Sequence, residues 1–257
     1  MMRTDTTLTW HNDAALKQKA LEGMRAHRAA DELVKGHYFS DGGGFSACAV
    51  GCVLRDLAGI DREPNRTHKM YSEVAGLPEW VAQLHDHFFE ALPYPANQQF
   101  AEDLIDAIPV GVDLTPSYHR FMIWLLTDEK HGSIQYADEA GKKATLTVVE
   151  LHERAASGDM PSNRAWDAAR DAARDAARDA ARDAARDAAR AAAGAAAWDA
   201  AWDAAWDAAR DAARAAAGAA AGAAGWAAAR AAGWAAARDA ARDAQSQALL
   251  SILGGAA

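Results

Sequence analysis

The sequence predicts an all-α protein in two parts: a small helical globular head over residues 1–159 and, after a linker at 160–163, a long Ala-rich helical tail over 164–257. Three observations predict it. Apolar residues in the first part recur at helical spacing between Pro, Gly and Asn boundaries. No segment alternates at period two except the brief Thr145–Val149, which is kept within a helix. From Arg164 onward 49 of 94 residues are Ala, and Val, Met and Phe are absent. The 51% hydrophobic content is therefore largely methyl groups, and the side chains able to form one ordinary core sit almost entirely in residues 1–163.

In chain order, Asn12 or Asp13 caps a first helix, which Leu16, Ala20, Leu21, Met24, Ala29 and Leu33 carry to about Val34 before Gly36 ends it. The run Gly42-Gly43-Gly44 makes a flexible turn. Ser46 is then placed to cap a helix over Ala47–Leu57, closed by Gly59 and carrying both cysteines. Pro78–Leu92, Ala96–Ile108, Pro116–Thr127 and roughly Ala144–Ala156 complete the head as helices bounded by Pro, Gly or Asn. Ser157–Asn163 stops the last of these and caps the next.

The tail follows a strict four-residue frame. Its third position is Trp166, then Arg at every step from Arg170 to Arg190, then Gly194, Trp198, Trp202, Trp206 and further Arg, Gly and Trp to Arg242; its first position is Ala from Ala168 to Ala244. Ala and Arg are strong helix formers, and the run far exceeds the ~15 residues an isolated helix needs. Charges add little: Asp171 and Arg174 attract at spacing three while Arg170 and Arg174 repel at spacing four, each by about 0.2–0.5 kcal/mol.

Four residues turn a helix by about 400°, so each tetrad drifts about 40° and no uniform coiled-coil seam persists. Trp198, Trp202 and Trp206 form a short stripe, and Trp226 with Trp234 a looser one; these are the candidate interaction residues. A continuous rod would be about 130 Å long. A compact bundle broken near Gly194 and Gly218–Gly225 is favoured over the rod, because six exposed tryptophans would leave too much apolar surface. A plainer origin for the tetrads is slippage of a twelve-base unit, leaving a tolerated low-complexity helix.

The net charge of −9 resides in the head, since the tail balances 12 Arg against 12 Asp. An acidic head with no basic stripe anywhere argues against a nucleic-acid partner. The longest uncharged stretch, Ala215–Ala229, is Ala, Gly and one Trp, which argues against a signal peptide or a membrane span. Two cysteines four residues apart are no disulfide framework and point to a reducing cytoplasm.

Several segments resemble a group of uncharacterised Ala-rich proteins from bacteria and their phages: Cys48-Ala-Val-Gly-Cys52 after a Gly-rich turn, His68-Lys-Met-Tyr71, Leu77-Pro-Glu-Trp80, Ile108-Pro-Val-Gly-Val-Asp113-Leu114 and Trp124-Leu-Leu-Thr-Asp128. The resemblance covers the whole chain, tail included. It implies no activity and no catalytic residue.

Within the head, His37, Gly43, Gly44, Cys48, Cys52 and His68 form a candidate pocket. Cys48 and Cys52 stand one turn apart on one helix face, and unpaired amides near Cys48 would favour a thiolate. A nucleophilic cysteine with a histidine base, or a Cys₂His₂ metal site, are the two chemistries this set allows. Structural zinc normally uses closely spaced ligand pairs, whereas His37 and His68 are 31 residues apart. The plainer reading is two small apolar residues packed under a short helix, with Gly51 permitting close contact. His85 and His87 point about 200° apart on a helix and share no metal; His119 and His131 read as solvated or hydrogen-bonded residues. No catalytic residue, metal or cofactor is therefore assigned. The leading expectation is a non-enzymatic interaction or assembly protein that contacts a protein partner or itself through the tail, and the alternative is a cysteine-centred enzyme or small-ligand binder in the head.

Overall fold

The computed structural model describes residues 8–40, 44–176, 178 and 238–256, and among them there is no strand. Seven α-helices follow one another: α1 (Ala14–Ala29), α2 (Ala49–Ala58), α3 (Thr67–Ala75), α4 (Glu79–Ala91), α5 (Ala96–Ala107), α6 (Thr115–Thr127) and α7 (Glu139–Ala156). Short 3-10 turns occur at Thr9–Asn12 and Ser133–Tyr136, and residues 163–176 and 238–254 are also helical. The all-α class holds. The chain divides into two compact units, one of Met1–Gly132, His152–Met160 and Asp239–Ala257, the other of Ser133–Leu151 and Pro161–Arg238.

In the first unit α2 is the hub, packing on α1, α3 and α4. Its residues Ala49 to Leu54 are all buried, as an apolar Ala-Val-Gly-Cys-Val-Leu run requires. The helix begins at Ala49 rather than Ala47, because Ala47 is held extended in a parallel bridge beside Leu33, with its amide and carbonyl bonded to Glu32 and Val34. Cys48, with φ −69° and ψ 172°, occupies the cap position instead. Gly59 closes the helix in the left-handed region at φ 68°, as expected from its position.

α1 starts where Asp13 accepts the amide of Ala15 at 2.8 Å, but it stops at Ala29 rather than near Val34. Tertiary pairing outcompetes further helix there. Ala47 N–H donates to Glu32 O and Val34 N–H to Ala47 O, both at 2.9 Å, so the strand-like Glu32–Val34 runs beside the entry to α2. α3 was not expected: its cap position is Arg66 in a left-handed conformation, so the sequence carries no Ser, Thr, Asp or Asn start signal. α4, α5 and α6 lie where the sequence puts them, and α7 begins five residues earlier than Ala144.

The segment Ile108–Leu114 is a docking turn. Trp10, fully buried, donates from Nε1 to Ile108 O at 3.1 Å, and Thr9 exchanges backbone bonds with Gly111 and Val112 at 3.0 Å. The C-terminal helix joins the same core. Leu249 and Leu253 are fully buried, and Gln99 and Asp103 of α5 share a small cavity with Ser246 and Leu250. In the second unit, residues 163–176 start at Ser162, whose Oγ accepts the amide of Ala165 at 3.3 Å, and the expected spacing-three pairs form, as Arg170 with Asp167 at 3.1 Å.

Candidate functional site

The site is built where the turn after α1 meets the start of α2. Cys48 N–H donates to His37 O at 3.1 Å, and the missing side chain of Gly51 makes room for the Tyr38 carbonyl. α4 supplies Asp86 and Glu90, one turn apart on one face. Glu90 is anchored by the Gly36 amide, which lies 3.0 and 3.1 Å from its two oxygens. Asp86 Oδ2 accepts the Tyr38 hydroxyl at 3.0 Å and the His68 Nε2 proton at 3.1 Å, and those two donors are themselves 3.2 Å apart. Glu63, from the loop before α3, completes the wall.

Together with Gly36, His37 and Cys48 these groups line an open cleft of about 500 Å³, at whose edge Cys48 is itself buried. Such a volume suits a small molecule. Burial, reinforced by Asp86 and Glu90, pushes the Cys48 thiol up to about 12 against the pull of the Gly51 and Val50 amides. The effect expected of a helix start is present but loses to desolvation. Cys52 is likewise pushed well above its ordinary value, first by burial. Burial and then Asp86 raise the Tyr38 phenol, which is a neutral donor. Burial thus holds the Cys48 sulfur as a thiol rather than a thiolate.

Of the predicted pocket residues, His37 and Cys48 line this cavity. His68 sits behind it in the Tyr38–Asp86 cluster and lines an adjoining cavity. Cys52 is one turn further on, in the core, its thiol 3.9 Å from Ala47 O. Gly44, at φ 151°, has open space around it, and its carbonyl accepts the Ser40 hydroxyl at 2.8 Å. Gly43 and all five candidate interaction residues, Trp198, Trp202, Trp206, Trp226 and Trp234, lie outside the described residues. Sequence reasoning did not find Tyr38, Glu63, Asp86 or Glu90; the one available signal was Asp86 between two histidines that face opposite ways, His85 buried and His87 exposed.

Among the described residues no three or more His, Cys, Asp or Glu are grouped so as to hold a metal ion, and no helix is long and apolar enough to cross a membrane. Two other histidine clusters exist. His27 bridges Glu32 at 2.5 Å and Asp56 at 3.0 Å, tying α1 to α2. His119 of α6 and His152 of α7 meet Nδ1 to Nδ1 at 2.9 Å, where one ring donates to the other. No protein-family model, curated protein or solved structure matches this chain.

Proposed function

We propose that this chain is a cytoplasmic, non-enzymatic interaction or assembly protein, of the kind carried by phages as an accessory factor, that contacts a protein partner or a second copy through its Ala-rich tail. One observation carries this reading. Residues immediately before the repeat, His152–Met160, and those that end it, Asp239–Ala257, belong to the same compact unit. In the chain the repeat thus lies between two segments of one unit. Trp and Arg, its only bulky side chains from Arg164 to Asp243, are the residue types that dominate interface energetics. The balanced charge of the repeat and the acidic head favour a protein over a nucleic acid. The test is a triple substitution of Trp198, Trp202 and Trp206 by Ala in the full chain, followed by sedimentation. Helix propensity rises with this change, so weakened self-association or partner binding reports lost packing. An unchanged assembly state and melting temperature would overturn the reading.

The cavity beside Cys48 favours a second role for the head as a small-ligand binder. Its support is the open volume lined by Tyr38 and Asp86, which His68 braces from behind, and the raised Cys48 thiol speaks for binding over cysteine chemistry.

A further inference from the structure

We propose that Leu8–Asn12 is an exchangeable arm, which in a pair of chains leaves its own groove and docks by Trp10 in the groove of the second copy. Every residue involved lies in the first compact unit, so arm exchange is independent of what the repeat does. Backbone strain motivates it. Trp10, His11 and Asn12 all hold left-handed angles, with φ of 57°, 52° and 58°. L-residues visit this region singly, and a bulky side chain such as Trp is crowded there. Three in succession persist only where their surroundings over-determine them.

Those surroundings are a groove cut to the arm, walled by the end of α3 and by the docking turn from Ile108 to Val112. A side chain on Gly76 would collide with the His11 backbone nitrogen at 2.5 Å, and one on Gly111 with Asn12 Oδ1 at 2.2 Å. Trp10 fills the floor, its side chain fully buried and its Nε1 donating to Ile108 O. Thr9 Oγ1 accepts the Val112 amide at 3.0 Å and donates to Pro109 O at 2.5 Å. His11 Nε2 donates to Glu73 O at 2.9 Å.

None of these contacts needs the arm and the groove to be on the same chain, since they join residues 62 to 103 positions apart. The bond that does is Asp13 N–H to Trp10 O at 2.9 Å, which closes the left-handed turn back toward α1. Opening the chain at Asn12 breaks that bond and releases the left-handed angle there. A second copy's arm then restores every contact of the groove. Strain held in a short hinge beside an intact docking surface is the condition under which identical elements exchange between protomers. Trp10 gives the exchange its anchor, because an indole buries ~150–250 Å².

The test uses the full-length chain with Trp198, Trp202 and Trp206 replaced by Ala, so that association through the repeat does not register. In this background Asn12→Val, which resists left-handed angles, is expected to tighten dimerisation about tenfold in sedimentation equilibrium, and Asn12→Gly, which accepts them, to weaken it severalfold. Should Asn12→Val not fold, a weaker dimer in Asn12→Gly than in its parent supports exchange, and an equal assembly state overturns it. A blocked peptide of Leu8–Asn12 probes the groove directly. It is expected to bind the Trp10→Ala chain saturably and to raise its melting temperature, whereas the peptide carrying Trp10→Ala binds at least about tenfold more weakly. Where the Trp10→Ala chain is unfolded alone, recovery of folded signal on adding the peptide is the supporting outcome. Asn12→Val and Asn12→Gly chains that sediment alike overturn the proposal, as does a Trp10→Ala chain that neither binds the peptide nor refolds with it.

Discussion

The carbonyl oxygen of Tyr38 occupies the space that a side chain on Gly51 would need. This approach lets the turn that carries His37 and Tyr38 lie directly on the start of α2, and it places the Tyr38 hydroxyl against Asp86. Gly51→Ala must therefore push the turn off the helix, at a cost of about 1–3 kcal/mol by overpacking. Gly59→Ala is the control: its left-handed φ of 68° costs about 1 kcal/mol but nothing crowds it. Urea unfolding of the two variants distinguishes the cases. Equal midpoints for wild type and Gly51→Ala would mean that the close approach does not exist.

Much of this was legible in the sequence, for identifiable reasons. α4, α5 and α6 are each bounded by Pro or by a turn and carry a regular apolar stripe, so local signals and tertiary packing agree. Gly51 was read as a contact residue from its place between the cysteines. Where long-range pairing sets the outcome, local signals mislead: Leu33 fits the stripe of α1 but is buried beside Ala47 instead. The site was half visible. His37 and Cys48 stand out as reactive types near a Gly-rich turn, whereas Glu63, Asp86 and Glu90 resemble any surface carboxylate until the fold turns them to one volume.

Leu249 and Leu253 are fully buried members of the core, although they follow the repeat in the chain. Leu253→Ala is expected to destabilise the first unit by about 2–5 kcal/mol, the range for a core leucine. Hydrogen exchange of the α2 and α5 amides should accelerate together in this variant. Exchange that speeds up only within residues 238–254 would show that the C-terminal helix is dispensable to the core. Any dissection of the protein must keep these residues: a fragment ending at 159 lacks part of its own interior.

Both cysteines are free and buried, and both thiols are raised far above neutral pH. Alkylation by iodoacetamide at pH 7.5 is accordingly expected to track global unfolding, with both sites labelled at the same slow rate. Cys48→Ala with Cys52→Ala should lower stability by roughly 1–3 kcal/mol and change nothing else. Rapid labelling of Cys48 in the native protein would restore a nucleophilic role for the thiol.

The histidines give stability a pH dependence whose two limbs belong to different residues. Burial pushes His85, which lies 3.1 Å from the Tyr71 hydroxyl, down to about 4, and burial together with nearby His119 does the same to His152. An unfolded histidine titrates near 6.5. Above that value both forms are neutral and these residues contribute no pH dependence. As the pH falls below it, the unfolded chain takes up protons that the folded chain refuses, so stability declines and the loss is complete below about 4. A shift of that size corresponds to roughly 3 kcal/mol per residue. His27 has the opposite sign: its bonds to Asp56 and Glu32 raise it, so its contribution is full below 6.5 and fades as the pH rises through its folded value. The windows do not overlap, and carboxylates are silent between about pH 5.5 and 6.5. In that interval His152→Gln and His85→Gln should each flatten the acid limb by up to one proton, while His27→Gln should leave it unchanged and remove only the limb above about 6.5. An acid limb of the same slope in wild type, His85→Gln and His152→Gln would mean that neither ring is held neutral by the fold.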